Sequence, residues 1–169
     1  DGVGNLYVAD TGNDLIRKVV AATGVVTTLA STGPAARFFA PTWVAADGAG
    51  NLYVADNYDH SIRKVVLATS VVTALAGIAG RLGGPDGTGP AAHFYHPEGV
   101  AGDGAGNLYV ADTYSHTVRK VVVATAVVTT LAGTAGIVGG RDGTGPAALF
   151  YYPRGLALDS AGNLYVADS

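Results

Sequence analysis

The chain contains no cysteine and no methionine. Without cysteine, neither a disulfide framework nor a thiolate metal site can form. Charge is sparse as well: charged residues make up 14% of 169, and the formal net charge is -3. The ten basic residues are spread along the chain, so there is no electrostatic footprint for nucleic acid or an anionic membrane surface. The most apolar run, residues 121–128, is interrupted by Thr125 and is far shorter than a bilayer span. No basic segment followed by an apolar one opens the chain, and it begins at Asp1, so it reads as a processed or excised piece of something longer. What is abundant is apolar: 49% of residues are hydrophobic, which suits a packed domain and not a disordered tail.

The heptapeptide GNLYVAD occurs four times, beginning at Gly4, Gly50, Gly106 and Gly162, with spacings of 46, 56 and 56 residues. Residues 50–105 and 106–161 align without a gap and are identical at 39 of 56 positions. The shorter first unit differs by one deletion: Ser31-Thr32 stands where the second unit has Gly77 and Thr88, so residues 78–87 have no counterpart. Within the second unit, residues 43–46, 51–55, 61–66 and 71–76 carry period-two or β-branched character and are separated by turn residues. DGAGN at 47–51 supplies glycines for a tight hairpin, and DNYDH at 56–60 supplies turn chemistry. No stretch shows sustained helical spacing. The reading is all-β, with four strands a, b, c and d per unit, which is the repeat length of β-propeller blades.

The segments GNLYVADTGNDLIRKVVAATGVVTTLA (4–30) and PEGVAGDGAGNLYVAD (97–112) resemble the NHL repeat family. The likeness covers essentially the whole chain. It implies one propeller segment over residues 1–169, with strands b to d of a first blade in 4–30. A second blade follows in 42–76, a third in 98–132, and strands a and b of a fourth in 154–168. The sequence departs from the family pattern at Asp14 in the first turn and at Pro41-Thr42-Trp43, where Pro-x-Gly is usual. Closed propellers have about four to eight blades, so this is a partial ring: either the chain is cut from a longer propeller, or copies assemble through the blade ends, two chains making six blades.

In this topology the b-to-c turns and the long d-to-a loops emerge on one face. Differences between the second and third units that change chemistry cluster there: Asp59 against Ser115, Pro85 against Arg141, His93 against Leu149, His96 against Tyr152, Glu98 against Arg154. That face is the expected contact surface for a protein partner, a glycan or a small ligand. Its candidate residues are Tyr58, His60, Tyr95, His96, Glu98, Tyr114, His116, Tyr151, Tyr152 and Arg154. Exposed tyrosines beside histidines suit such contacts. Phe38, Phe94 and Phe150, the first aromatic of each loop pair, read as anchors that pin the loop. Asp10, Asp56, Asp112 and Asp168 end strand b and read as acceptors for backbone N–H groups of the following turn. His60 and His116, with His93 or His96, form the sole histidine set available to a metal, and turn packing is the plainer reading. Asp86 and Asp142 supply one carboxylate per loop, a weak basis for calcium. The Gly-rich loops 80–89 and 136–145 lack a phosphate-loop ending and read as flexible or partner-contacting.

No nucleophile with a positioned base is visible. The expectation is a non-catalytic scaffold or interaction module with no cofactor, no metal, no nucleic-acid partner and no membrane insertion, in an extracellular or cell-surface setting. The family resemblance also implies an alternative, a metal-dependent lyase-like or hydrolase-like enzyme using His60, His116, Tyr152 and Arg154. RNA binding, as in the NHL domains of tripartite-motif proteins, predicts a basic face that the acidic balance opposes.

Overall fold

Alternation within GNLYVAD sets the architecture. Successive side chains of a strand point to opposite faces, so Leu and Val share one face while Tyr and Ala share the other. A computed structural model describes residues 1–30 and 37–169. Blade one comprises β1 (Asn5–Asp10), β2 (Leu15–Val20) and β3 (Val26–Ala30). Blade two comprises β4 (Pro41–Ala46), β5 (Asn51–Asp56), β6 (Ser61–Val66) and β7 (Val71–Gly77). Next come β8 (Gly87–Thr88) and the four strands β9 (Pro97–Gly102), β10 (Asn107–Asp112), β11 (Thr117–Val122) and β12 (Val127–Ala132) of blade three. Blade four contributes β13 (Leu156–Leu158) and β14 (Leu164–Val166). Every pairing between these strands is antiparallel, each sheet follows chain order except at β8, and the described residues contain no α-helix. The first strands β4, β9 and β13 lie side by side and form the inner wall of a partial ring.

Each a-to-b hairpin is closed by one carboxylate. Asp47 Oδ1 accepts the backbone N–H groups of Ala49 and Asn51 at 2.8 and 3.0 Å, and its Oδ2 accepts Asn51 Nδ2 at 2.7 Å. Gly48 and Gly50 have φ of 72° and 94°, a left-handed region that explains why the hairpin reads Gly-x-Gly. Asp103 and Asp159 repeat the arrangement.

Blades pack face to face through the two sides of strand b. Leu52, Val54, Val65 and Val72 of blade two cluster with Tyr7, Ala9 and Leu29 of blade one. Tyr53, Ala55, Ile62 and Ala76 of blade two cluster with Val100, Leu108, Val110, Val121 and Val128 of blade three. Each fully buried Val or Leu contributes about 1.5–3 kcal/mol, so these two interfaces carry most of the hydrophobic stabilisation. In blade one the equivalent residues Leu6, Val8 and Val26 remain 59, 44 and 49% exposed.

Two expectations need correction. Blade three is a five-stranded sheet, because β8 in the d-to-a loop pairs with the outer strand β12 through Val127–Thr88 and Val128–Gly87. Loop 80–89 is therefore no loose connector: it covers a sheet edge that would otherwise present unpaired N–H and C=O groups. The deletion point Ser31-Thr32 lies outside the described residues.

Candidate functional site

Three contacts, repeated from blade to blade, assemble the face that carries the b-to-c turns and the d-to-a loops. The first comes from the aspartate ending strand b. Asp56 Oδ1 accepts the backbone N–H of Phe39 at 2.7 Å, Asp112 that of Tyr95 at 2.6 Å, and Asp168 that of Tyr151 at 2.8 Å. The sequence suggested that these carboxylates would serve their own turn. Instead each holds the loop residue 17 positions upstream, because the loop aromatic before it, Phe38 or Phe94, is fully buried and brings that N–H within reach. The second contact crosses between blades: Thr11 Oγ1 donates to the Pro41 carbonyl at 2.8 Å, Asn57 Nδ2 to Pro97 at 3.2 Å, and Thr113 Oγ1 to Pro153 at 2.8 Å.

The third contact defines the histidines. Asp14, His60 and His116 close their turns in the left-handed region, at φ of 58°, 52° and 59°. Each accepts the backbone N–H of another left-handed residue in the next d-to-a loop: Ala40 to Asp14 Oδ1 at 2.7 Å, His96 to His60 Nδ1 at 3.2 Å, and Tyr152 to His116 Nδ1 at 3.2 Å. An imidazole Nδ1 that accepts carries a lone pair, so His60 and His116 are neutral with the proton on Nε2. Burial holds both below the ordinary histidine value; the repulsion of His96 adds to this at His60, while Asp59 opposes it there and Asp168 opposes it at His116.

Above these staples the aromatic rings form a continuous ladder. Phe39 meets Tyr58 at a centroid distance of 5.4 Å, Tyr58 meets His96 at 5.0 Å, and His96 meets Tyr114 at 4.8 Å. Tyr114 meets Tyr152 at 5.0 Å, and Tyr152 meets Tyr151 at 4.8 Å. Tyr95 and His60 flank His96, and His116 lies against Tyr152. Several of these contacts are edge-to-face or tilted, the geometry that aromatic quadrupoles favour. Phe39, Tyr58, Tyr114 and Tyr151 are all more than 40% exposed. Beside the ladder, Arg154 pairs with Glu98 at 3.7 Å.

The structure thus brings eight of the ten expected residues into one network, Tyr58, His60, Tyr95, His96, Tyr114, His116, Tyr151 and Tyr152, and places Glu98 and Arg154 as a pair at its side. The four residues of the enzyme alternative are not drawn to one point. His116 meets Tyr152, His60 lies against His96, and Arg154 turns to Glu98. Among the described residues no group of three or more His, Cys, Asp or Glu is arranged to hold a metal. Asp86 turns to Arg119 at 2.9 Å.

Phe39, the second aromatic of its loop pair, is the first rung, and Asn57 escaped the sequence reading. Asn57 donates its Nδ2 to Pro97, which turns its Oδ1 toward His96 Nδ1 at 2.9 Å and puts the proton of His96 on Nδ1. Its signal was slight, since Asn57 aligns with Thr11 and Thr113, which make the same interblade bond without the second one.

The NHL repeat model matches residues 94–121 and 150–169. NHL repeat-containing protein 2 of Homo sapiens is 40% identical over 90 residues, covering 52% of this chain and 12% of that protein. The chain spans 8–12% of the length of the curated relatives it matches. Among solved structures, a Bacteroides thetaiotaomicron protein of unknown function superposes with a TM-score of 0.86 at 24% identity, over 98% of this chain and 42% of that one. An auxiliary nutrient binding protein of Bacteroides ovatus superposes with a TM-score of 0.74 at 25% identity, over 98% of this chain and 43% of that one. The repeated strands, the interblade packing and these likenesses agree: the chain has a β-propeller fold, and residues 94–121 and 150–169 match NHL repeats.

Proposed function

We propose that this propeller segment is a non-catalytic binding module whose contact surface is the aromatic ladder. The observation that carries the reading is the continuity of that ladder. Four exposed aromatic rings, linked through His96 and Tyr152, run across the face of the b-to-c turns on a backbone fixed by buried carboxylates and histidines. Exposed aromatic patches on a rigid frame mark recognition surfaces, since little order remains to be imposed when a partner binds. The likeness to a nutrient-binding propeller supports the same use of the fold. Titrating the 15N-labelled protein with pooled peptide and saccharide fragments tests it. Shifts are expected at residues 56–60, 94–98, 112–116 and 150–154. Shifts concentrated at the opposite hairpins, residues 47–51 and 103–107, overturn it.

A second contact mode concerns the blade ends. Leu6 and Val8 expose the face that Leu52 and Val54 bury, and Tyr165 of blade four, 59% exposed, lies on the face that Tyr7 and Tyr53 pack inward. A second copy seated there would repeat the interface between blades one and two. Sedimentation equilibrium reads this directly, and a species of 16.9 kDa at all concentrations sinks it.

A further inference from the structure

The chemistry at the centre of the ladder restricts what it can hold. Tyr58 and Tyr114, from neighbouring blades, both lean on one ring, His96, at 5.0 and 4.8 Å. Their exposures of 53 and 41% leave ring surface open to solvent on either side of it. His96 is half-buried, and its Nδ1 proton is committed to Asn57 Oδ1. The remaining ring nitrogen, Nε2, therefore carries a lone pair, and no described residue donates to it. The site is thus two partly exposed tyrosine rings on either side of a hydrogen-bond acceptor.

The charges nearest to it are already engaged: Arg63 bridges Asp59 at 3.1 Å and Asp56 at 3.3 Å, and Glu98 pairs with Arg154 at 3.7 Å. A charged ligand seated on His96 would compete with one of these contacts. A purely apolar ligand, or a proline-rich peptide whose rings lack an N–H, would cover Nε2 and leave it without a donor, which costs binding energy. A pyranose ring meets every requirement. Its faces carry C–H groups that pack on tyrosine, its edge carries hydroxyl donors, and it is uncharged.

We propose that the Tyr58–His96–Tyr114 cluster is a saccharide subsite that takes one neutral pyranose, with a sugar hydroxyl donating to His96 Nε2. The ladder continues through Tyr152 and Tyr151, so a second sugar of the same chain has a surface to lie on. The inference rests on the reading of this face as the contact surface.

The first repeat supplies its own controls, because Gly12 and Ala40 occupy the places of Tyr58 and His96, and Ala40 adopts φ 51° against 49° for His96. Tyr58→Gly and His96→Ala therefore introduce residues that the fold already accepts. The experiment is an NMR titration of the 15N-labelled protein and both variants with soluble neutral oligosaccharides of glucose, mannose, galactose and xylose. A proline-rich peptide and an oligogalacturonate are run in parallel. The expected result is saturable binding of at least one neutral oligosaccharide, with shifts centred on residues 57–60, 95–96 and 113–116, weakened about tenfold in each variant. No response to any neutral saccharide overturns the proposal, as does binding that His96→Ala leaves unchanged. If the peptide or the acidic saccharide alone binds at this face, the contact surface stands and the saccharide subsite falls. Saccharide shifts confined to the opposite hairpins remove both.

Discussion

Blades two and three solve one problem with different residues. In each, an arginine on the third strand is buried against the aspartate that ends the second: Arg63 Nη1 lies 3.3 Å from Asp56, and Arg119 Nη1 lies 2.9 Å from Asp112. In each the guanidinium also approaches a loop phenylalanine ring, Phe38 at 5.9 Å and Phe94 at 5.4 Å. The second carboxylate comes from different places. Blade two takes it from its own turn, Asp59 at 3.1 Å. Blade three has Ser115 at that position and takes it from the long loop, Asp86 at 2.9 Å, with the carbonyls of Pro85 and His93 adding further acceptors. What the repeat preserves is the charge balance around the arginine, whichever segment provides it. The price appears in the aspartates. Burial drives Asp112 up to about 6 despite Arg119, and Asp56 up to about 7, where Asp59 adds repulsion.

The comparison can be broken most forcefully at Arg119. Arg119→Ala strands Asp112 in a fully buried site and should cost about 3–5 kcal/mol. The equivalent Arg17→Ala in blade one removes a partly solvated pair at 3.5 Å and should cost less than about 1 kcal/mol. Urea unfolding midpoints measure both, and equal losses would show that burial does not govern these pairs.

A second difference between the blades is the residue after Pro-x on the first strand, Trp43 in blade two and Gly99 in blade three. A Cβ at position 99 would fall inside contact distance of the Arg154 carbonyl oxygen, so Gly99→Ala should cost about 1–3 kcal/mol by forcing blades three and four apart. Thermal unfolding reads this, and a neutral effect would mean that the blades slide freely.

The exchange of carboxylate source is directly testable. Asp86 is half exposed, so Asp86→Asn should cost only about 1 kcal/mol. Adding Ser115→Asp, which copies Asp59, should recover most of it. If the double variant is as weak as Asp86→Asn, the two carboxylates are not interchangeable.

The smallest effect is titratable. His60 and His116 have folded values below the usual 6.5, so their neutral forms contribute stability that is complete above about pH 6.5 and is lost as pH falls through the lower folded values. The groups facing them are His96, Tyr95 and Asp59 for His60, and Tyr151, Tyr152 and Asp168 for His116. Asp56 and Asp112, whose values are raised, shift global stability in the opposite sense over the same range, so individual amides must be followed. Between pH 7.5 and 5 the His96 and Tyr152 amides should lose hydrogen-exchange protection by a few-fold, while Ala40, held by Asp14, keeps its own. Equal behaviour of all three would remove the histidine staple.

The strands were legible because their signals are local: GNLYVAD alternates, and DGAGN closes its own hairpin. That the ten candidate residues share one face was also legible, through their places in the b-to-c turns and d-to-a loops. Their order in the ladder was not, since Tyr58 meets His96 only after one blade is laid against the next. The Asp56 to Phe39 bond spans 17 residues and the Arg119 to Asp86 pair spans 33, and no periodicity marks either. Nor does β8 show any strand pattern in two residues of Gly-Thr; only the bare edge of β12 makes it a strand.

In the staples at positions 14, 60 and 116, what each turn grips is a main-chain N–H, so the side chain of the residue it holds is chemically silent in the grip. Alanine, histidine and tyrosine occupy that held position within one polypeptide at nearly the same backbone angle. This face therefore behaves as a chassis with exchangeable fittings: a new side chain at 40, 96 or 152 inherits a finished mount, and the surface chemistry can change without reopening the problem of folding.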